Sequence, residues 1–290
     1  MAVYNPTEPQ TIREANTKTI LSKTSGFIAQ AGFTHSLTPA RNCTFGCVYC
    51  YVPTLRIQGG LRPEDWRRWG QFTTFKTNAA ELLDRELRPN QVIYCSPLVD
   101  PYQPAEEQRR LMPELLDALI RNPPHVFVLQ TRGPLILQDL DRLITLSTRT
   151  RLRVSFSLTT DRDDVRKLYE PLCASIDERL NTLATLRDAR ITTRATLAPL
   201  LPCDPAGLAR LALTYTEGDV IGDPFHVRAV KKRGATTRVE ALRVSEVRGF
   251  EDWHKPDFQA RVVADIQSVI EAAGRRFGVG PDAFAWLAQP

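Results

Sequence analysis

Apolar positions along this chain recur with two periods. Short runs rich in Val, Ile, Phe and Thr, namely FTHSL (33–37), QVIYC (91–95), HVFVLQ (125–130), RLRVSFSL (151–158), ITTRATL (191–197) and FHVRAV (225–230), have the composition of buried strands. Between them lie amphipathic stretches whose leucines return every three or four residues: NAAELLDREL (78–87), EEQRRLMPELLDALIRN (106–122), ILQDLDRLITL (136–146) and SIDERLNTLATLRDA (175–189). Asn78 is expected to cap the first of these with Glu81 completing a capping box, and Pro113 to kink or restart the second. Six strands alternating with helices predict a parallel α/β sheet, either a closed or partly closed barrel or a doubly wound open sheet. Residues 1–30 read as an N-terminal extension, 31–230 as the alternating body, and 231–290 as a C-terminal extension ending in a helix (DFQARVVADIQSVIEAAGRRFG), with Gly274 and Gly278 near its end.

Composition narrows the class. The chain has 290 residues, 42% hydrophobic and 24% charged, enough for one large domain or two ordinary ones. No N-terminal stretch combines basic residues with an apolar run, and no apolar run approaches the roughly 20 residues of a membrane span. A cytoplasmic protein without a membrane partner is expected. In that compartment thiols stay reduced, so clustered cysteines point to metal or catalysis. The net charge of +5 is compatible with a nucleic-acid partner without demanding one.

Three of the six cysteines crowd into NCTFGCVYCYVP (42–53), spaced C-x3-C-x2-C just after the first predicted strand. In an α/β barrel the loops at the carboxyl ends of strands form the reactive face. Structural zinc usually takes four ligands as two spaced pairs, and no second pair exists, although His35 is available as a fourth ligand. A [4Fe-4S] cluster normally takes four cysteines; three would leave one iron open to a substrate or cofactor.

The C-x3-C-x2-C run resembles the radical S-adenosylmethionine (SAM) superfamily. With DPYQPAE (100–106), LYEP (168–171) and ERL (178–180), it resembles the spore photoproduct lyase-like branch, also called DNA-repair photolyases, over residues 33–203. The resemblance implies a partial (β/α)6 TIM-like barrel in which Cys43, Cys47 and Cys50 hold a [4Fe-4S] cluster chelated by SAM. An external one-electron reductant of flavodoxin or ferredoxin type would deliver the electron that cleaves SAM, and the resulting 5′-deoxyadenosyl radical would abstract hydrogen from substrate. The substrate of that branch is a thymine photodimer in DNA. Other radical SAM reactions, on RNA, a peptide or a small metabolite, and a non-catalytic metal-holding nucleic-acid binder are the alternatives.

The resemblance also assigns residues. Tyr49 would lie against the SAM adenine, and the pair Tyr49 and Tyr51 would relay a hydrogen atom back to SAM. Ser96 and Asp100 are the polar candidates for the SAM amino group, Arg132 for its carboxylate, and Ser157 for its ribose or carboxylate. Cys95 stands two residues before the branch's hydrogen-atom donor. That offset keeps a side chain on the same face of a strand, so Cys95 reads as donor or as core. Glu170 and Arg179 read as a structural ion pair, Lys76 matches a branch position, and His226 is a possible substrate contact. Cys173 and Cys203 have no expected partner. Basic residues cluster at RPEDWRRW (62–69), RAVKKRGATTR (228–238) and GRR (274–276); in the first, Trp66 and Trp69 among arginines would stack on bases of a nucleic acid or form a solvated, partly amphipathic lid equally well.

Overall fold

The structure, a computed structural model, describes residues 10–54, 68–226 and 238–289. Its strands are β1 (Thr11–Ala15), β2 (Leu21–Lys23), β3 (His35–Leu37), β4 (Ala40–Arg41), β5 (Phe72–Lys76), β6 (Val92–Cys95), β7 (Val126–Thr131), β8 (Arg151–Ser157), β9 (Thr193–Leu197), β10 (Val220–Gly222) and β11 (Phe277–Val279). Eight form one open sheet in the order β11-β10-β9-β8-β7-β6-β3-β2, and β1-β5-β4 form a second, smaller one. From β3 to β11 the large sheet is parallel throughout; β2 alone runs antiparallel at its edge. This is an α/β partial barrel.

Five of the expected strands form where the apolar pattern puts them. The sixth does not: β10 lies upstream of FHVRAV, whose Phe225 and His226 are in coil and whose residues 227–230 lie outside the described residues. The shift has a packing cause. A Cβ at Gly222 would sit 2.6 Å from the Phe277 ring, so this bare backbone admits β11 alongside. Phe225 is instead buried between the rings of Tyr169 and His254, at 5.4 and 4.5 Å.

Register separates the two faces of the sheet. In-register residues of parallel neighbours point the same way. One row carries Leu37, Cys95, Leu129 and Val154; the other carries Ser36, Tyr94, Val128 and Arg153. Residues of the first row share a core with the helices Leu111–Arg121 (Leu115, Leu119), Leu140–Ser147 (Leu143, Leu146) and Ile176–Asp188 (Leu183, Leu186). This is the outer face. The second row faces inward, where Tyr94, Val126, Val128 and Ile221 meet Phe33, Phe284 and Leu287. Phe284 and Leu287 come from the helix Gly280–Ala288, so this helix plugs one end of the barrel and leaves the other end for a site.

Two local expectations change. The helix Ala79–Glu86 has no side-chain cap, because the Asn78 amide pairs with the backbone of Thr17 instead, accepting from its N–H and donating to its C=O at 2.9 Å each. Ser175 and Glu178 do form a capping box, at the start of Ile176–Asp188. Pro113 marks a restart: a short helix Glu106–Arg109 breaks at Arg110 (φ 51°), and Pro113 falls in the first turn of Leu111–Arg121, where its missing N–H costs nothing. Among the described residues no helix is long and apolar enough to cross a membrane.

Candidate active site

The cysteine loop leaves the sheet through β4 and is braced on every side. Asn42 turns the chain at φ 66°, a left-handed conformation that asparagine tolerates. Thr73 of β5 donates its hydroxyl to the carbonyls of Arg41 (3.1 Å) and Asn42 (3.0 Å). Between the first two cysteines, Gly46 has φ 60°, and a Cβ there would meet the Gly70 Cα at 3.1 Å. Gln103 Oε1 accepts from the Thr44 N–H (2.7 Å) and hydroxyl (3.2 Å), and the same hydroxyl accepts from Ala105 N–H at 3.1 Å. Val48 N–H donates to the Tyr169 carbonyl at 2.9 Å, and Arg238 N–H to the Tyr49 carbonyl at 2.9 Å.

Beside the loop, Glu170 collects four donors. Its Oε1 accepts from the Tyr49 hydroxyl (2.5 Å), the Thr159 hydroxyl (2.8 Å) and Arg132; its Oε2 accepts from Arg179. Burial would raise this carboxyl, but Arg179, Arg132 and the Tyr49 hydroxyl outweigh it and hold Glu170 at about 2. The ion pair expected between Glu170 and Arg179 is therefore one arm of a buried hub. Arg132 also donates to the Tyr49 hydroxyl and lies 3.8 Å from Cys47 Sγ. Tyr49 is buried, with Arg132 5.8 Å from its ring centre and Phe225 edge-on at 6.4 Å.

Asp100 is fully committed. It accepts from the Thr131 hydroxyl (2.6 Å) and from the N–H groups of Tyr102 and Arg132 (2.9 Å each), and so fixes the turn that presents Arg132. Ser96 is buried at the end of β6, and its hydroxyl has no partner among the described residues. Ser157 accepts from Gln130 Nε2 at 2.7 Å; Gln130 Oε1 in turn accepts from Tyr94 (3.0 Å) and Ser155 (2.6 Å). This polar set lines the inner face above the apolar plug. Gln130 and Ser155 escaped the sequence reading, whose signal would have been polar residues punctuating strands otherwise apolar on both faces. Tyr51 is half-buried; after burial, its electrostatic effect is the next cause that pushes the Tyr94 hydroxyl up.

Cys95 lies elsewhere. It occupies the outer row with Leu37 and Leu129 and is fully buried. Burial first, and the Asp100 charge second, push its thiol up. Cys173, expected to lack a partner, has its Sγ 3.9 Å from Cys47 Sγ. Lys76 Nζ donates to the Thr38 carbonyl at 2.6 Å, and burial lowers it to about 8. His35 opens β3 while the cysteine loop follows its far end, and its Nδ1 meets the Thr34 hydroxyl at 2.9 Å. His226 lies 3.9 Å from Asp223, beyond β10. Trp69 is buried and so is not offered to bases; residues 62–67 and 228–237 lie outside the described residues.

The chemistry of the three loop thiols suits a cluster, since a cubane takes each thiolate on a different iron. Burial pushes the Cys43 thiol up and Cys50 to about 12, against N–H groups of Asp100 and Phe45 at Cys43 and of Val52 at Cys50. Such N–H donors suit sulfurs carrying negative charge beside a metal. The unpartnered Ser96 hydroxyl is a further group that a bound molecule would satisfy.

Comparison with known proteins gives the family and the fold. The sequence model of the radical SAM superfamily matches residues 37–204. The uncharacterized protein MJ0683 of Methanocaldococcus jannaschii is 24% identical over 160 residues, covering 55% of this chain and 58% of that protein. The uncharacterized protein Rv2578c of Mycobacterium tuberculosis is 27% identical over 200 residues, covering 66% and 56%. The chain thus spans little more than half the length of these relatives. Among solved structures, spore photoproduct lyase complexed with dinucleoside spore photoproduct superimposes with a TM-score of 0.62 at 12% identity, covering 93% of this chain and 81% of that one. A variant of that lyase with bound AdoMet and the same dinucleoside gives a TM-score of 0.61 at 13% identity, with the same coverage. At such identities the likeness is one of fold.

Proposed function

Because the chain belongs to the radical SAM superfamily, whose members use a [4Fe-4S] cluster and SAM, we propose that it is a hydrogen-abstracting enzyme that repairs a thymine photoproduct in DNA. The observation that carries this reading is the clamp of Gln103 on Thr44. It ties the DPYQPAE segment to the cysteine loop within a fold like that of spore photoproduct lyase.

When bound, the SAM-chelated cluster supplies one-electron cleavage of SAM to methionine and a 5′-deoxyadenosyl radical. The chain's own residues hold and orient it. Cys43, Cys47 and Cys50 are the cluster ligands. Arg132, kept in place by Asp100, carries a guanidinium whose fork suits the SAM carboxylate. Tyr49 offers its ring to the adenine while its hydroxyl stays anchored on Glu170. Ser96 supplies a free hydroxyl, and Ser157, held by Gln130, a second one. Tyr51 stands on the other side of Cys50 as a candidate for hydrogen relay. The hydrogen bonds that Glu170 accepts hold this wall in place, and its buried side chains keep water out, which protects a radical from side reactions. The electron comes from an external carrier of flavodoxin or ferredoxin type.

One observation favours a second reading. Cys95, the nearest cysteine to the expected donor position, stands in the helix-facing row, so no thiol at the end of β6 turns toward the inner face. A radical SAM reaction that needs no donor thiol, on RNA, a peptide or a small metabolite, accommodates that arrangement. An anaerobic assay separates the two. Reconstituted protein is expected to bind iron and sulfide and to yield 5′-deoxyadenosine with dithionite. An ultraviolet-damaged oligonucleotide restored to thymines supports repair. Deoxyadenosine formed without any change in the lesion selects the second reading, and zinc in place of iron overturns both.

A further inference from the structure

Cys173 belongs to no motif of the proposed mechanism, yet its sulfur lies 3.9 Å from that of Cys47. The contact is set by backbone. Val48 N–H donates to the Tyr169 carbonyl at 2.9 Å, joining the cysteine loop to the end of the helix Asp163–Tyr169. Cys173 N–H donates to the Glu170 carbonyl at 3.0 Å, and Arg166 donates to the Cys173 carbonyl at 2.9 Å, so the turn carrying the thiol is pinned on both sides. Among the described residues, Cys47–Cys173 is the sulfur–sulfur contact within hydrogen-bond range. A disulfide needs the sulfurs about 2.05 Å apart; in the reduced protein they already lie within contact, at 3.9 Å.

We propose that Cys47 and Cys173 form a reversible disulfide that withdraws Cys47 from the cluster-binding loop when the cluster-free protein meets a peroxide. Hydrogen peroxide oxidises one thiol to a sulfenic acid and leaves as one water. The second thiol then attacks that sulfur, the S–S bond forms, and the sulfenic oxygen departs with the thiol hydrogen as a second water. The two sulfurs together lose two electrons and the peroxide gains them. A dithiol reductant reverses the bond by exchange. The bond would spare a cluster ligand from further oxidation at the expense of blocking cluster assembly. This inference rests on the reading of Cys47 as a cluster ligand.

The test uses the full chain before reconstitution. Reduced protein is first shown to take up iron and sulfide, which checks the ligand reading by itself. Cluster-free protein is then treated with hydrogen peroxide, its free thiols are alkylated, and its peptides are analysed by mass spectrometry. The expected result is a linked peptide joining Cys47 to Cys173, loss of cluster loading, and recovery of loading with dithiothreitol. Cys173→Ser and Cys173→Ala, checked for folding by circular dichroism, should load normally when reduced, yield no linked peptide, and lose loading irreversibly under the same peroxide. Linkage of Cys47 to Cys43 or Cys50, absence of any linked peptide, or undiminished loading of the linked protein overturns the proposal.

Discussion

Gln103 and Thr44 are joined twice, the Gln103 carboxamide oxygen accepting from both the backbone N–H and the hydroxyl of the residue that follows Cys43. Both residues are fully buried. The segment following β6 thereby sets the position of the first cluster cysteine.

Replacing Gln103 with Leu removes that acceptor and leaves a buried N–H of the loop unpaired, at a cost of about 1–3 kcal/mol. Iron bound per chain after reconstitution is expected to fall clearly below wild type, whereas Gln103→Glu, which keeps an acceptor, should retain most of it. Equal loading in all three proteins would show that the loop holds its shape without the clamp.

Arg132 tests the SAM side of the site. Loss of a charge-assisted contact of about 1.5–3 kcal/mol predicts that Arg132→Ala weakens SAM binding roughly 10- to 100-fold. Arg132→Lys restores part of this, because an ammonium keeps the charge and loses the planar fork. Equilibrium binding of SAM to the reconstituted variants measures both.

Glu170 is held near 2, far below an unfolded carboxylate, because its arginines and Tyr49 outweigh the effect of burial. A folded-state value below the unfolded one gives stability that is present above the unfolded value and lost as pH falls through about 2. Wild type should therefore lose stability on acidification below about pH 5. Glu170→Gln should flatten this fall and lower stability at neutral pH by about 3–5 kcal/mol, since it leaves Arg179 buried with a neutral neighbour. Thermal unfolding against pH reads both effects.

Glu106 behaves oppositely. Burial raises it to about 7, with Asp139 adding to the rise against the Met112 N–H and the arginines at 109 and 110. A carboxyl raised on folding favours the folded state below its unfolded value, and that contribution is lost as pH rises through about 7. Glu106→Gln keeps an acceptor for Met112 N–H, now at 2.6 Å, and should match or exceed wild-type stability at pH 8 while removing the decline above pH 5.

Cys95→Ala is expected to cost about 1 kcal/mol of stability, as small core truncations do, and to leave both SAM cleavage and product distribution unchanged. Diverted products in this variant would place its thiol in the reaction after all.

The sequence on its own determined the superfamily, through the motifs that carry the resemblance, and the places of most strands. Three cysteines at a fixed spacing on one short loop carry the resemblance to the superfamily in the sequence alone, and apolar runs between amphipathic helices bury their sides as an α/β sheet. Tertiary structure decided what depends on distance across the chain. Cys47 and Cys173 are 126 positions apart and meet in space, and Glu170 gathers Tyr49, Arg132 and Arg179 from three separate segments. The side of the sheet that receives Cys95 was equally hidden. A period of two says which residues share a face, and only the packing of the helices on one side and of Phe284 on the other says which face is inside. Residue 222 makes the same point locally: the pattern puts the sixth strand at 225–230, whereas Gly222 ends β10, because the ring of Phe277 occupies the space a side chain there would have taken.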